Sequence, residues 1–334
     1  MRSSRIILAQ LPTPIEPLEK ISALLGGPRI LIKRDDQTGL ALGGNKTRKL
    51  EFLLADAIGK RADVLITAGA PQSNHCRQTA AAAAKAGLRC VIVLGGSPPD
   101  VPNGNLLLDR MLGAEIEWTD RDHRNTRMEE IAAQMRTEGH TPYVIPVGGS
   151  NGVGAQGYVL AAQEAFGQLA QLGEHVATMV VASSSGGTQA GLALGAKMAG
   201  YDGRILGISI DKGERGPDPY EVELAAIANA TAEVMGSPVR MTADEFSVEY
   251  GYLGGGYGIV GSLERGALSA MAKEEGIILD PVYSGRAFGA LMDMIGKGKI
   301  VGGGEGEKSE KRNGVLFWHT GGGPSCFAYA KELA

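Results

Sequence analysis

Cysteines and long apolar runs are what this sequence has least of. Its 334 residues include three cysteines, Cys76, Cys90 and Cys326, whose spacing matches neither a disulfide framework nor a zinc site. No apolar run approaches the ~20 residues that a membrane-spanning helix requires, and the start of the chain is too short in its apolar part for a secretory signal. We therefore expect a globular protein without a metal, in the cytoplasm or, if a targeting segment has been removed, in an organelle.

A strong excess of one charge is also missing. The net charge of −4 and the isoelectric point near 5.8 indicate no basic surface for nucleic acid or for an anionic membrane. Glycine is abundant, with 50 residues, but it occurs in turns and loops and not in repeats, which excludes a collagen-like or low-complexity chain. We expect a small soluble molecule as the partner, and neither nucleic acid nor membrane.

Short β-branched runs alternate with amphipathic stretches along the chain. This alternation predicts parallel sheets covered by helices, and the length suffices for about two domains that share a cleft. The predicted strands are residues 64–67, 91–94, 116–118, 144–147, 179–182, 205–210 and 315–318. Because ligands of open parallel sheets bind beyond the carboxyl ends of strands, the polar segments that follow these runs are the candidates for a site.

Lys46 lies between a Gly-Gly-Asn turn and a helical pattern. A lysine forms a Schiff base with an aldehyde only as the free amine, so burial or cationic neighbours such as Arg48 and Lys49 must lower its pKa. Alone, this motif is more often a turn with an ordinary surface lysine. The residues predicted to form the apolar stripe of the helix are Leu50, Leu53, Leu54, Ala57 and Ile58, and those predicted to face solvent are Lys49, Glu51, Asp56 and Lys60.

Two further turns connect a predicted strand to a predicted helix. Residues 183–188 read Ser-Ser-Ser-Gly-Gly-Thr, and glycine N–H groups, a helix N-terminus and the hydroxyls of Ser185 and Thr188 together suit a phosphate. Ser73 and Asn74 begin the other helix, where a turn can present N–H groups to a carboxylate. Both turns are also explained by ordinary helix capping.

Two later segments end in polar groups. Tyr283 and Ser284 follow Asp-Pro-Val, and Thr320 follows the last predicted strand and a histidine. Tyr283 alone would more often be a packed tyrosine with a satisfied hydroxyl than a catalytic residue.

In their residues and in their order along the chain, these segments resemble motifs of the pyridoxal 5'-phosphate enzymes of the D-cysteine desulfhydrase and 1-aminocyclopropane-1-carboxylate deaminase family. That family also includes L-cysteate sulfo-lyase. The resemblance covers nearly the whole chain. It implies an α/β fold of the tryptophan synthase β-like type (fold type II), with two open parallel-sheet domains and the cofactor in the cleft between them. It implies a larger cofactor-binding domain of residues 1–48 and 157–334, and a smaller inserted domain of residues 49–156. We also expect a homodimer.

The resemblance assigns roles residue by residue. It makes Lys46 the Schiff-base lysine and Asn74 the partner of the cofactor's phenolic oxygen, and it makes Ser73 the hydroxyl on the substrate side. Tyr283 and Tyr257 match two tyrosines that face the substrate. The residues assigned to cofactor binding are Lys46, Asn74, Ser185, Gly186, Gly187, Thr188, Ser284 and Thr320.

The implied reaction is loss of a β-leaving group from a small amino acid, with D-cysteine giving pyruvate, hydrogen sulfide and ammonia. Deaminases of the cyclopropane amino acid carry Glu and Leu where this chain has Ser284 and Thr320, and hydroxyls at these positions would leave the cofactor ring neutral, which disfavours ring-opening. Sulfite elimination from L-cysteate stays open as an alternative, followed by cyclopropane deamination. A non-enzymatic regulatory homologue that binds the cofactor is the alternative from another class.

Two charged or polar segments suggest no chemistry. Residues 302–312 lack apolar side chains and are expected to form a surface loop before the last strand. The charged residues 119–130 are expected to form a solvated loop and helix face.

Overall fold

The computed structural model describes residues 4–213, 219–301 and 314–334. The loop expected at residues 302–312 lies outside these ranges. Within them the chain folds into two sheets, one of six strands and one of four, each covered by helices.

The six-stranded sheet is built from both ends of the chain and is parallel except at one edge. Its strand order is β1-β2-β10-β7-β8-β9, with β1 antiparallel to β2 and each remaining pair parallel. The strands are β1 (Ile15–Pro17), β2 (Ile30–Arg34), β7 (Val176–Ser183), β8 (Arg204–Ser209), β9 (Ser247–Glu249) and β10 (Gly314–His319). Alternate residues enter separate cores on the two faces, with Leu316 in one and Phe317 in the other, as expected of a sheet buried on both faces.

The four-stranded sheet comes from the middle of the chain and is entirely parallel. Its strand order is β5-β4-β3-β6. The strands are β3 (Val64–Gly69), β4 (Arg89–Gly95), β5 (Glu115–Thr119) and β6 (Pro142–Val144). Leu65 packs in the core on one face of this sheet, whereas Val64 and Ile66 pack in the core on the other.

Helices connect the strands and cover both sheets. They are α1 (Glu19–Leu25), α2 (Lys46–Gly59), α3 (Asn74–Ala86), α4 (Gly104–Met111), α5 (Arg124–Thr137), α6 (Gly152–Leu172), α7 (Gly187–Ala199), α8 (Tyr220–Val234), α9 (Ser262–Glu275), α10 (Ser284–Gly296) and α11 (Ala330–Leu333). No helix in the described ranges is both long and apolar enough to cross a membrane. The expected domain boundaries, at residues 48/49 and 156/157, fall inside α2 and α6, which pack against each other. The division into those two domains stays a prediction.

The predicted alternation of parallel strands and helices is confirmed. Each predicted strand overlaps an observed one, although β6 ends at Val144 and residues 147–149 instead form a 3-10 turn in which Gly148 has a φ of +71°. The charged residues of 119–130 are mostly exposed, as expected.

The solvent face predicted for α2 is wrong at Lys49 and Glu51, whereas Lys60 is exposed as predicted. Lys49 and Glu51 are each 1% exposed, whereas Ile58, expected in the apolar stripe, is 45% exposed. Glu51 is buried because the N-terminal segment crosses over it, so that its carboxylate accepts hydrogen bonds from the N–H groups of Leu8 and Ala9, each at 2.9 Å. Periodicity could not show that both sides of the helix are covered.

A buried ionic cluster holds α2 in place. The Asp35 carboxylate after β2 accepts hydrogen bonds from Arg48 in α2 (2.8 Å), Tyr158 in α6 (2.6 Å) and Trp318 in β10 (2.8 Å). Glu164 of α6 is the second carboxylate on Arg48, also at 2.8 Å. Burial acts to raise the pKa of Asp35, but the Arg48 guanidinium and the hydrogen-bond donors hold it below its ordinary value. The cluster thereby joins the helix that begins with Lys46 to the larger sheet.

Candidate functional site

A cavity lies at the carboxyl ends of β3, β7 and β10. The predicted site residues that line it are Lys46, Ser73, Asn74, Ser185, Gly186, Thr188, Tyr283 and Thr320. Gly187, Tyr257 and Ser284 lie outside its lining. The carboxyl ends of parallel strands are where ligands of open α/β sheets bind, so the position of the cavity agrees with the position expected from the motifs.

Lys46 is the first residue of α2, and the end of β10 holds the turn before it. The N–H group of Asn45 donates to the carbonyl oxygen of Thr320 (2.9 Å), and the N–H group of Gly44 donates to the hydroxyl of Thr38 (2.8 Å). No hydrogen bond or ion pair joins the Lys46 amine to another residue of the described ranges. Burial lowers the pKa of Lys46 to about 8, so that part of its amine is uncharged near neutral pH.

Of the two causes expected to lower the pKa of Lys46, burial acts and the cationic neighbours Arg48 and Lys49 do not. Arg48 lies on another side of α2 and its charge is balanced by Asp35 and Glu164. The low pKa of Lys46 is therefore due to burial. Lys49, expected at the surface, is buried, and burial, followed by the charge of Lys46, lowers its own pKa well below the ordinary value.

Lys49 lies behind the predicted phosphate loop. Its amine donates to the carbonyl oxygen of Gly148 and to the hydroxyl of Ser150, each at 3.1 Å, and no carboxylate in the described ranges pairs with it. A Cβ atom placed on Gly187 would lie 2.9 Å from the Lys49 amine and also 2.9 Å from the backbone Cα atom of Ser150, so glycine permits this close approach. Sequence reasoning missed Lys49, although its spacing of three residues from Lys46 places both lysines on one helix face.

The loop between β7 and α7 offers donors that nothing in the described chain accepts. Gly186 precedes the helix with a φ of +80°, and the N–H groups of Thr188 and Gln189 in the first turn have no acceptor among the described residues. The Thr188 hydroxyl accepts a hydrogen bond from the Asn45 side chain (3.0 Å), which leaves its own proton free to donate. Free N–H groups at a helix N-terminus bind anions.

Ser73 and Asn74 lie at the start of α3 and line the same cavity. The Ser73 hydroxyl caps the helix by accepting from the N–H group of Cys76 (3.2 Å), which leaves its proton available. The Asn74 side-chain oxygen accepts from the Asn105 amide (2.9 Å), and its Nδ2 group has no acceptor among the described residues. In this geometry the Ser73 hydroxyl can therefore cap the helix and donate to a ligand at the same time.

Tyr283 and Tyr257 form a pair at one side of the cavity. Their hydroxyl oxygens lie 2.6 Å apart, although only Tyr283 lines the cavity itself. Burial raises the pKa of both phenols, that of Tyr257 to about 12 and that of Tyr283 well above its ordinary value. Both tyrosines therefore carry their protons at neutral pH.

Ser284 does not face the cavity. Its hydroxyl donates to the Asp280 carboxylate (2.6 Å) and accepts from the Asp280 N–H group (2.8 Å). The same carboxylate accepts from the N–H groups of Val282 and Tyr283, so Asp280 organises the start of α10. Thr320 does line the cavity.

His75 is a lining residue that the sequence did not suggest as a ligand-facing group. Its Nε2 lies 2.7 Å from the Thr67 hydroxyl, and because that hydroxyl donates to the carbonyl oxygen of Ile145, Nε2 carries the proton. Burial, with Lys46 and Lys49 nearby, holds the pKa of His75 well below its ordinary value. No group of three or more His, Cys, Asp or Glu side chains in the described ranges is arranged to hold a metal ion.

The cavity fits the cofactor that the sequence resemblance implies. Lys46 supplies a buried amine for an aldehyde, and the uncompensated amine of Lys49 lies behind the helix N-terminus that suits a phosphate. The lowered pKa of Lys49 shows that its ammonium form is disfavoured while no anion lies beside it, and a phosphate at this place would stabilise that form.

Comparison with known proteins indicates the same cofactor. The model of the family described as pyridoxal-phosphate dependent enzyme matches residues 6–309. D-cysteine desulfhydrase of Klebsiella pneumoniae (strain 342) is 41% identical over 339 aligned residues, which cover 99% of this chain and 98% of that protein. The crystal structure of an ACC deaminase homologue superposes with a TM-score of 0.86 at 39% identity, covering 99% of this chain and 96% of that one. A hydrogen sulfide-producing enzyme from Fusobacterium nucleatum shares the fold alone, with a TM-score of 0.61 and 16% identity over 93% of this chain and 95% of its own.

Proposed function

This chain belongs to the family of pyridoxal-phosphate dependent enzymes, and we infer from that premise that it catalyses β-elimination on a small amino acid. We propose D-cysteine as the preferred substrate and pyruvate, hydrogen sulfide and ammonia as the products. The observation that supports this most directly is one cavity lined by the Lys46 amine, an anion-binding helix N-terminus and a neutral tyrosine. The 41% identity to a D-cysteine desulfhydrase over the whole chain favours the same substrate.

Three parts of the cavity would hold the cofactor. The loop at residues 185–188 and the Lys49 charge behind it would bind the phosphate, and Lys46 would attach the aldehyde. Asn74 would donate from Nδ2 to the phenolic oxygen of the ring, because its own oxygen is already occupied by Asn105.

Proton transfer at the substrate's α-carbon is assigned to Lys46. The bound cofactor supplies a ring that accepts the electron pair left when that proton departs. The Lys46 amine, whose pKa burial lowers to about 8, takes the proton at Nζ. Ser73, whose hydroxyl proton is free, donates to the substrate carboxylate and so orients the α-carbon toward Lys46.

The tyrosine pair is assigned to the leaving group. Tyr283 lines the cavity as a neutral phenol, and Tyr257 is its hydrogen-bond partner at 2.6 Å. A phenol so placed donates a proton to a departing sulfur and recovers one through its partner. We propose that Tyr283 acts directly and that Tyr257 positions it.

The charges around the cavity favour a thiol as the leaving group. Among its described lining residues there is no Asp or Glu that could hold a proton on the cofactor ring, a feature that suits elimination better than ring-opening. There is also no Arg among them, although a sulfonate requires strong cationic or N–H donors. D-cysteine therefore agrees with the cavity better than L-cysteate or the cyclopropane amino acid.

The test is a substrate panel with the purified, cofactor-loaded protein. D-cysteine, L-cysteine, L-cysteate, D-serine, β-chloro-D-alanine and the cyclopropane amino acid are supplied separately, and sulfide, sulfite and oxoacid are measured. We expect kcat/KM for D-cysteine to exceed that for the cyclopropane amino acid by at least ~100-fold, which corresponds to about 2.7 kcal/mol in transition-state stabilisation. Sulfite as the main product would establish the sulfo-lyase alternative, and no turnover with the whole panel would favour a regulatory homologue.

We further propose a homodimer in the cytoplasm. Leu107 and Met111, four residues apart on α4, are 44% and 72% exposed, and Val101 just before the helix is 73% exposed, which supports a protein interface at α4. Light scattering in solution tests the dimer: a mass that stays near the 34.8 kDa of one chain at micromolar concentration would contradict it.

A further inference from the structure

We propose that Asn105 is a positioning residue that decides which end of the Asn74 amide faces the cavity. Resting on the proposed function, this inference concerns how Asn74 comes to offer the cofactor's phenolic oxygen a donor. The two ends of an amide differ little in shape but are opposite in hydrogen bonding. The orientation must therefore be imposed by a neighbour.

The orientation of Asn105 itself is unambiguous. Its Nδ2 group lies 2.9 Å from the backbone carbonyl oxygen of Gln72, and a carbonyl oxygen can only accept a hydrogen bond. The amino end of Asn105 must therefore face Gln72. Its backbone N–H group also donates to the Gln72 side-chain oxygen (2.8 Å), which fixes the start of α4 on the turn before Ser73.

The same amino group then determines the orientation of the Asn74 side-chain amide. Asn105 Nδ2 lies 2.9 Å from the near atom of the Asn74 side-chain amide, and because a donor needs an acceptor, that atom is Oδ1. The Arg77 guanidinium also donates to this oxygen, at the longer distance of 3.4 Å, and so weakly favours the same orientation of the Asn74 amide. With Oδ1 held on the protein side, Nδ2 of Asn74 is left for the cavity.

The buried Asn105 side chain uses its hydrogen-bond donors but not its acceptor. Asn105 is 0% exposed, and its Oδ1 has no partner among the described residues, whereas both N–H bonds are used toward Gln72 and Asn74. A buried acceptor without a donor costs free energy, so the side chain is held for what it donates. Gly104 permits the close approach, since a Cβ atom there would lie 2.3 Å from the Gln72 side-chain oxygen.

The matched test is one substitution at two neighbouring positions. In Asn105→Asp the amino group becomes an oxygen, and the carboxylate cannot donate to Asn74. We therefore expect the Asn74 amide to turn its own amino group inward and its oxygen to the cavity. Asn103→Asp is the control: Asn103 is exposed and uses its side-chain oxygen to accept from Gln72 (3.2 Å), a role that a carboxylate retains.

Two measurements on the cofactor report the change. We expect Asn105→Asp to weaken binding of pyridoxal 5'-phosphate to the apoprotein by about tenfold and to raise, by at least about half a pH unit, the midpoint at which the visible absorbance of the bound cofactor titrates. The rise follows because an acceptor facing the phenolic oxygen disfavours its anionic form. We expect Asn103→Asp to stay within about twofold in binding and to keep the original midpoint.

Asn74→Ala separates this inference from the proposed site. If Asn74→Ala alters the absorbance titration and Asn105→Asp, shown to be folded by circular dichroism, does not, Asn105 has no positioning role while the site stands. If Asn74→Ala itself changes neither measurement, Asn74 does not contact the cofactor and this inference fails, while the proposed reaction is decided separately by the substrate panel. Should the Asp variant not fold, Asn105→Ala replaces it: a shift in the same direction with about threefold weaker binding supports the inference, and an unchanged midpoint overturns it.

Discussion

The hydroxyl oxygens of Tyr257 and Tyr283 lie 2.6 Å apart, with the two rings edge to face at an interplanar angle of 72°. Tyr257 lies in the loop before α9, and the Arg121 guanidinium lies 5.0 Å from its ring centre. Tyr283 immediately precedes α10, where Asp280 holds the turn. The Arg121–Tyr257 contact and the Tyr257–Tyr283 hydrogen bond thus connect the segment after β5 of the smaller sheet to the start of α10.

We predict unequal effects when the two hydroxyls are removed. Tyr283→Phe should lower kcat/KM for D-cysteine by about 100-fold, as loss of a positioned acid, and Tyr257→Phe by about tenfold. Since burial raises the pKa of Tyr257 to about 12 and that of Tyr283 further above its ordinary value, neither phenol should cause activity to fall between pH 7 and 9. Tyr252→Phe, which loses a hydroxyl bonded to Asp293, is the control. Equal loss in all three variants would indicate a structural effect.

We predict that Lys46 is the residue to which the cofactor becomes covalently attached. The neutral amine is the reactive form, and its fraction rises with pH up to the pKa of about 8. The rate of cofactor attachment to the apoprotein should therefore increase about tenfold from pH 6 to 7 and level off above pH 8. Lys46→Ala should abolish attachment, and borohydride reduction followed by peptide mass analysis should find the adduct on Lys46. An adduct on Lys33 or Lys49 would contradict the assignment.

We predict weaker cofactor retention when the phosphate loop is altered. Thr188→Ala removes a charge-assisted hydrogen bond of about 1.5–3 kcal/mol, and Gly186→Asp should have the larger effect because it adds bulk and a repelling charge. Aspartate at this position also meets a backbone φ of +80° and the Leu224 side chain, which would lie 2.9 Å from its Cβ atom. Equilibrium titration of the apoproteins measures the change, with Thr137→Ala on the exposed face of α5 as the control. Wild-type affinity in both loop variants would place the phosphate elsewhere.

We predict that Ser284 contributes to stability more than to cofactor chemistry. Ser284→Ala leaves the buried Asp280 carboxylate without one donor and should lower the free energy of unfolding by about 1.5–3 kcal/mol, while Ser269→Ala on exposed α9 should change it by about 0.5 kcal/mol or less. Ser284→Glu should destabilise more, because two buried carboxylates would then face each other. Urea unfolding measures each value. A wild-type stability with an altered cofactor absorbance in Ser284→Ala would instead support a role at the ring nitrogen.

We predict that the ionic cluster behind α2 contributes far more to stability than a surface pair. Arg48→Met leaves Asp35 buried without its cation and should cost about 3–5 kcal/mol. Arg89→Met removes an exposed pair with Glu115 and should cost about 1 kcal/mol or less. Urea unfolding measures the free energy of unfolding of both variants. Similar decreases in both would show that the other hydrogen-bond donors suffice to stabilise the buried Asp35 carboxylate.

The local patterns of the sequence were sufficient for the alternating strands and helices, whereas the fold type and the cofactor followed from the family resemblance of the motifs. Strand and helix periodicity predicted the parallel sheets, and the family match confirms the fold type and pyridoxal 5'-phosphate. Lys46, Ser73, Asn74 and the loop of residues 185–188 were found because each follows a strand or begins a helix, where chain direction alone determines that backbone donors are exposed.

Residues whose role depends on distant partners were not predictable in this way. Lys49 and Glu51 look like exposed residues of an amphipathic helix until the N-terminal segment and Ser150 are seen to cover them. Ser284 follows the tyrosine that lines the cavity, yet its hydroxyl turns toward Asp280 because that carboxylate gathers the N–H groups at the start of α10.

The sequence by itself determined which residues are candidates for the chemistry, because residue type and position relative to a strand end are local properties. Only the tertiary structure decided their protonation and orientation: the lowered pKa of Lys46 arises from burial, and the direction of the Asn74 amide from Asn105 in another helix. Desolvation and hydrogen-bond polarity both depend on which atoms are brought together in space. These contacts join residues far apart in the chain, such as Asn45 and Thr188, and periodicity contains no record of them.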